Sequence, residues 1–276
     1  MAKRKRRLTA QVMMRREKTG RGKGRGVMYQ PMLNIHDAAS FGRSHRVWLP
    51  KTGRIHHSFS DLETRFLYVL HWSERVVDIR EQYPLELSET LTIAEVTGIK
   101  HPMVPRTQES TVMTTDFVIT VQTGMQTQEY ARSIKYSADL ARRRVIEKLE
   151  IERLYWERRK IDWGISTEHD IPKMLAENIA FVMNYYDLTQ RGISQATLLK
   201  VAPVLTEAVL KHRDTLYQIA THIDAMLNLL AGTALAIVYH LIATRQWQVD
   251  LTHPLDTNQP LTLSNTLTEE VLTCSH

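Results

Sequence analysis

The sequence predicts an α/β chain in two parts, a mixed-sheet domain over residues 31–170 followed by a mostly α-helical domain over residues 171–276. Three patterns predict it. Two β-rich runs, Asp116–Val121 and Glu129–Lys135, flank a turn at Gly124 and read as a hairpin. A long amphipathic stretch over residues 139–160 leads from that hairpin to a returning β-rich run at 162–166. Beyond Pro172 the apolar residues recur at helical spacing. With 276 residues and 43% hydrophobic content the chain can bury one large core or two modest ones.

The chain opens on charge. Residues 1–30 hold eleven Lys or Arg against the single acid Glu17, which leaves the remainder at −4 within an overall +6. Lys3–Arg7 and the Gly-spaced run Gly20–Gly26 offer little apolar surface, so residues 1–30 are expected to be a basic flexible tail that neutralises phosphates. Arg4, Arg6, Arg21, Lys23 and Arg25 are its candidate DNA contacts. No apolar run reaches the roughly 20 residues of a membrane span, and the basic start lacks the apolar core of a signal peptide. A cytoplasmic, DNA-associated location is the expectation. Cys274 is the single cysteine, which excludes an internal disulfide framework and a thiolate zinc site. No phosphate-binding Walker loop is present, so nucleotide hydrolysis would have to come from another protein.

Between Ser40 and Ser60, Lys51-Thr52-Gly53 reads as a turn between two short strands. A helix is expected from Ser60, which with Glu63 three residues later fits a capping box. Val76–Arg80 reads as a short buried strand, and residues 86–110 as loop with fragments of strand. The helix over 139–160 carries eight Lys or Arg against four Glu, with Val145, Leu149 and Trp156 on one stripe. The first domain thus has the order α-β-β-β-α-β. In the second, helices are predicted over 173–186, after the cap Ser194, over 206–230 and over 233–244. Residues 247–251 and 261–263 then suit either a small hairpin behind the helices, as in a winged-helix module, or an extended end to a plain helical docking domain.

A hairpin turn centred between Met125 and Gln126 would set Asp116 directly opposite Lys135, with Cβ atoms about 5 Å apart. Side-chain alternation puts Glu129, Ala131, Ser133 and Lys135 on one face. Phosphodiester hydrolysis needs cations on the developing charge and an activated water, and Mg²⁺ is satisfied by one or two carboxylates plus waters. Asp116 with Glu63 could anchor the metal, and Lys135 could orient or activate the water. The plainer readings are a helix cap for Glu63 and a cross-strand ion pair for Asp116 and Lys135. His56 and His57 point to opposite faces of a strand, so one metal would not take both. His56, Arg43, Arg54, Arg142, Arg143 and Arg144 are read instead as candidate DNA contacts.

The motifs GRSHRVWLPKTGRIHH, SDLE, VVDIREQYPL, GIKHP and TTDFVIT, in this order, resemble the TnsA family, endonuclease subunits of Tn-seven-like heteromeric transposases. That resemblance implies a restriction-endonuclease-like catalytic domain followed by a winged-helix-like domain. It carries the catalytic acids onto Glu63 and Asp116 and the catalytic lysine onto Lys135. It implies Mg²⁺, two ions per site, with Mn²⁺ able to substitute. It implies cleavage at the 5′ ends of a transposon alongside a TnsB-type transposase and a TnsC-type AAA+ regulator. The family has Glu or Gln where this chain has Ser133 in Ser133-Ile134-Lys135. Ser133, the Ile134 carbonyl or Glu129 could make up for the missing ligand. Two other readings stay open: a non-catalytic DNA-binding adaptor with a degenerate nuclease domain, and a stand-alone restriction or repair nuclease.

Overall fold

The computed structural model describes residues 9–37, 43–104, 108–211 and 213–264. The expected contacts Arg4 and Arg6, and Cys274, lie outside them. The chain divides into two compact units, Met1–Ile171 and Pro172–His276.

Unit 1 is built on a four-stranded mixed sheet in the order β3-β4-β5-β6, from Val76–Pro84, Thr114–Thr123, Gln126–Ile134 and Asp162–Ser166. The first three strands are antiparallel and β6 returns parallel to β5. A parallel return needs a crossover, which α4 (Arg143–Glu157) supplies. Alternation along β4 gives the sheet two buried faces. Phe117 packs edge-on against Phe66 of α2 (Asp61–Trp72), whereas its neighbour Val118 joins Ala131, Ile151, Tyr155 and Trp156 in a core that α3 (Leu87–Thr97) and α4 close. The helix–sheet–helix layering thus follows from continuous apolar runs such as Phe117–Ile119, which cannot face water on either side.

A separate two-stranded sheet, β1 (His45–Leu49) and β2 (Arg54–Ser58), precedes α2 and turns at Gly53, where φ is +65°. It is fastened to β3 chiefly by a buried carboxylate, besides bonds from Lys51 to the Val76 carbonyl and from Arg54 to the Ile79 carbonyl, each at 2.6 Å. Glu81 accepts both guanidinium nitrogens of Arg54 at 2.8 and 2.6 Å, His56 Nδ1 at 2.9 Å and the His57 N–H at 3.2 Å. Burial works against the Glu81 charge, but His56 and Arg54 more than offset it and hold the carboxyl far below the usual range. Arg54 and His56 are therefore not DNA contacts, since His56 is wholly buried and the Arg54 guanidinium is spent on Glu81.

Three further expectations are corrected in this unit. The segment from Thr9 to Gln30 is ordered rather than tail-like: α1 (Ala10–Lys18) buries Met13 against Met32 and Val112, and Arg16 and Arg21 pair with Asp37. Its glycines shape a tight loop. Gly22 and Gly24 have φ of +75° and +89°, and a Cβ on either would come within 2.6 Å of Pro84 or of the Met28 carbonyl. Residues 87–97 form α3, whose Ser- and Thr-rich sequence hides the helix but which ends on Gly98 in the left-handed conformation. The hairpin pairs Phe117 with Arg132 and Thr123 with Gln126, so its two-residue turn is Gly124–Met125, one position earlier than expected. Continued, that register sets Asp116 beside Ser133, not Lys135; a shift of two partners keeps every side chain on its expected face.

Unit 2 contains α5 (Lys173–Met183), α6 (Gln195–Lys211), α7 (Leu216–Met226) and α8 (Thr233–Ala243). The apolar α8, with Ile237, Val238 and Ile242 fully buried, is the helix the other three pack around. The single helix expected over 206–230 is broken, because Thr215 and Gln218 form a reciprocal capping box that starts α7. No strand forms among the described residues of this unit, so the wing expected at 247–251 and 261–263 is absent there. The carbonyls of Leu251 and His253 accept from the Asn178 amide, those of Thr257 and Gln259 accept from the first turn of α7, and Trp247 and Leu251 are buried. Of the expected strands, the Trp247 N–H and the Leu251 carbonyl are taken by helix residues, and a single backbone bond, from the Ser264 N–H to the Gln248 carbonyl at 2.7 Å, runs where a ladder would have formed.

Because Glu81 is buried and its partners would be left uncompensated, Glu81→Leu is expected to destabilise unit 1 by about 3–5 kcal/mol in urea unfolding. With a folded pKa below the unfolded one, the wild-type contribution is complete above about pH 4.5 and is lost as pH falls below it. A variant whose stability tracked the wild type from neutral pH into acid would show that Glu81 carries no such load.

Candidate active site

Three elements bring acids and a lysine to one end of the sheet. Asp116 stands near the start of β4, between Thr115 and Phe117, which pair with Tyr83 and Glu81 of β3, and one residue before Phe117, where the pairing with β5 begins. Its Oδ2 accepts the Ile134 N–H at 2.8 Å and the Lys135 ammonium at 2.6 Å. Lys135, just past β5, also donates to the Ile134 carbonyl at 2.9 Å. The predicted contact is thus made, but by the reach of the lysine stem rather than by cross-strand opposition. Burial alone would lower the Lys135 pKa; the charge and hydrogen bond of Asp116, with Glu152 and Glu63 behind them, reverse this and raise it. Without a metal, Lys135 is an ammonium and not a base.

Glu63 comes from the first turn of α2. The Ser60 hydroxyl accepts the Glu63 N–H at 3.1 Å and donates to its carboxylate, while the Phe59 N–H donates to the other carboxylate oxygen at 2.9 Å. Cap and site are therefore one arrangement, since the bonds that start α2 also aim its acid. Burial and the negative charge of Asp116 raise the Glu63 pKa to about 7, against the pull of the Phe59 amide and Lys135. Two carboxylates that repel each other, with one lysine between them, suit a divalent cation.

Sequence reasoning missed Glu152. This residue of α4 is buried, and three donors converge on its Oε1: Ser133 Oγ at 2.6 Å, Thr115 Oγ1 at 2.7 Å and Trp163 Nε1 at 3.1 Å. Burial and the charge of Asp116 raise its pKa. The signal was present, because Glu152 lies on the apolar stripe between Leu149 and Trp156, where an acid has no structural reason to be. Ser133 is buried and donates to this carboxylate, and Glu129, the other suggested substitute ligand, is bound by Arg80 and Arg25. Among the described residues no three His, Cys, Asp or Glu side chains converge as a metal-binding group.

The candidate DNA contacts separate by exposure. Lys23 and Arg43 are exposed. Arg21 is drawn in by Asp37, and the largely exposed Arg25 by Glu129. Arg142, Arg143 and Arg144 stand at the start of α4 with side-chain exposures of 74%, 94% and 41%, paired with Asp139 or Glu147.

Residues 73–168 match the family model described as TnsA-like endonuclease N terminal, and residues 170–251 match TnsA endonuclease C terminal. The transposon Tn7 transposition protein TnsA of Escherichia coli is 37% identical over 229 residues, 83% of this chain and 82% of that protein. The chain belongs to the TnsA family. Its activity is accordingly endonucleolytic cleavage of DNA in Tn7-like transposition, which sets aside the non-catalytic adaptor and the stand-alone nuclease. Asp116, Ser133, Lys135 and Glu152 all fall inside the first TnsA match, whereas Glu63 precedes it and is linked to the site by the charges of Asp116 and Lys135 that act on it. No helix among the described residues is long and apolar enough to cross a membrane.

The raised Glu63 pKa has a measurable sign. A carboxyl that titrates near 7 folded and near 4.3 unfolded costs the folded TnsA-like chain stability as pH rises through that interval. Glu63→Gln in chelator is therefore expected to raise the thermal midpoint at pH 8 and leave it unchanged at pH 4. Equal midpoints for the two proteins at pH 8 would mean that Glu63 ionises freely.

Proposed function

We propose that this chain hydrolyses phosphodiesters at the 5′ ends of a transposon, with Mg²⁺, or Mn²⁺ in its place, held by Glu63 and Asp116. The observation that carries the reading is the Lys135 ammonium 2.6 Å from Asp116, beside a Glu63 carboxyl raised to about 7 by burial and by Asp116. Mg²⁺ keeps several waters and takes few protein ligands, so two carboxylates, with the Ile134 carbonyl in reach as a further oxygen, suffice without a three-acid cage. When bound, the metal supplies a polarised phosphoryl oxygen and a water of lowered pKa.

The residues of the chain do the rest. Glu63 and Asp116 present negative charge at one end of the sheet and set where the phosphate backbone is cut. Lys135 holds Asp116 Oδ2 and the Ile134 carbonyl, and its ammonium would orient the attacking water or a phosphate oxygen were a metal to take Asp116. Ser133 is not a ligand in this reading: it and Thr115 orient Glu152, which supports the floor of the site from α4. The exposed Lys23, Arg43, Arg142, Arg143 and Arg144 contact DNA phosphates.

Residues 171–276 dock protein partners, and the reaction runs beside a TnsB-type transposase, which cuts the opposite strands, under a TnsC-type AAA+ regulator. The test is reconstitution with those partners, Mg²⁺ and transposon-end DNA. Asp116→Ala is expected to lower 5′-strand cleavage by at least about 100-fold while DNA and partner binding persist. Wild-type 5′ cleavage by that variant would refute the site.

A further inference from the structure

Helix α4 carries four cations, and three of them are neutralised on the helix surface. Arg143 and Arg144 share Glu147, and Arg153 is held by Glu150 and Glu157. Lys148 differs. Among the described residues it makes no ion pair or hydrogen bond, and the charges that act on it are two further cations, Arg144 and Lys135. The remaining acid of α4, Glu152, is engaged by Ser133, Thr115 and Trp163.

Its place on the helix explains those neighbours. Residues four apart share a face and stand about 6 Å apart along the axis. Arg144, Lys148 and Glu152 thus form one row that runs from the exposed start of α4 down to the carboxylate beneath Ser133. Lys148 is the middle member, near Lys135 and exposed to solvent. Partial desolvation of the ammonium, on a residue that stays open to solvent, and the two like charges work against its charged form, so that its pKa falls below the ordinary lysine value. A cation kept among cations at the rim of an acidic site is destabilising on its own and becomes favourable only when an anion arrives between them.

We infer that Lys148 is a phosphate-binding positioning residue, which takes a backbone phosphate of the DNA strand being cut and, with Arg144 one turn outward, sets that strand's path across the site. The inference rests on the nuclease reading, since the anion is a phosphodiester next to the one that reacts. Arg144 can exchange Glu147 for phosphate, as Arg143 still satisfies that acid. Lys148 has no partner to give up, so its contact is gained without breaking another.

The experiment compares wild type, Lys148→Gln and Lys148→Arg on a short fluorescein-labelled duplex with Ca²⁺ in place of Mg²⁺, by anisotropy across a salt series. End cleavage with the transposase and regulator is measured in parallel. Lys148→Gln is expected to bind about tenfold more weakly and to reduce the slope of log K against log salt by about 0.9, the loss of one phosphate contact. In cleavage, its DNA requirement rises by a similar factor while the rate at saturating DNA stays within about threefold of wild type, and Lys148→Arg restores both. Its thermal midpoint stays equal to or above that of wild type, because a like-charge contact has been removed. An unchanged salt slope and DNA requirement overturn the inference, as does absence of salt-dependent binding by the wild type. So does a loss confined to the saturated rate. Asp116→Ala serves as the separate control: if it still cuts, the nuclease site is wrong whatever Lys148 does, whereas an inactive Asp116→Ala beside an indifferent Lys148→Gln leaves the site standing and removes only Lys148.

Discussion

The Glu81 carboxylate is the point on which unit 1 turns. Among the described residues the β1–β2 hairpin has no ladder to the main sheet and is tied to β3 chiefly through the bonds of Arg54, His56 and the His57 amide to this group, with Lys51 and Arg54 also donating to the Val76 and Ile79 carbonyls. The strand that ends at Ser58 leads within two residues to Ser60, the cap of α2, and so to Glu63. Asp116 arrives on β4, which is paired directly to β3. The buried charge cluster therefore helps to place two acids that are 53 residues apart in sequence, together with the edge-on packing of Phe66 against Phe117. A buried ion pair is a poor source of net stability but a strict one of geometry, because leaving any member unpaired is costly.

The site itself departs from the rules that hold elsewhere in the fold. Glu63, Asp116 and Glu152 bring like charges together in a poorly hydrated corner, with Lys135 as the countercharge, and two of these acids have raised pKa values in consequence. Local conflict of this kind is what a TnsA-type nuclease needs, since groups already satisfied by one another would have no attraction left for a metal or a phosphate. At Ser133 the hydroxyl donates to the Glu152 carboxylate of α4 at 2.6 Å, so a second helix brings an acid against this strand.

Much of this was legible from local patterns. The Ser60 cap, the Lys51–Gly53 turn, the apolar strand at Val76 and the return at 162–166 each depend on interactions within a few residues, and each is present. The misreadings have physical causes of two kinds. Some signals were weak in isolation: α3 is rich in Ser and Thr, and Thr215 with Gln218 sits inside a stretch of continuous helical periodicity. Others depended on partners remote in sequence, as when Pro84 and Met32 turn a Gly-rich basic run into a close-packed loop, or when Asn178 takes the carbonyls that a hairpin would have used.

The sequence by itself determined the α/β class, the order of the strands with α2 and α4 around the β4–β5 hairpin but not α3, the side-chain face on which Asp116, Ser133 and Lys135 lie, and, through its motifs, the TnsA family. Periodicity and capping carry that information because they are properties of neighbours along the chain. Only the tertiary structure decided that Arg54 and His56 belong to the core, that Lys135 meets Asp116 by reach and not by register, and that Glu152 stands beneath Ser133. Those outcomes turn on burial and on distances between segments far apart in sequence, and a charge shows whether it is solvated, paired or unsatisfied only once the chain around it has folded.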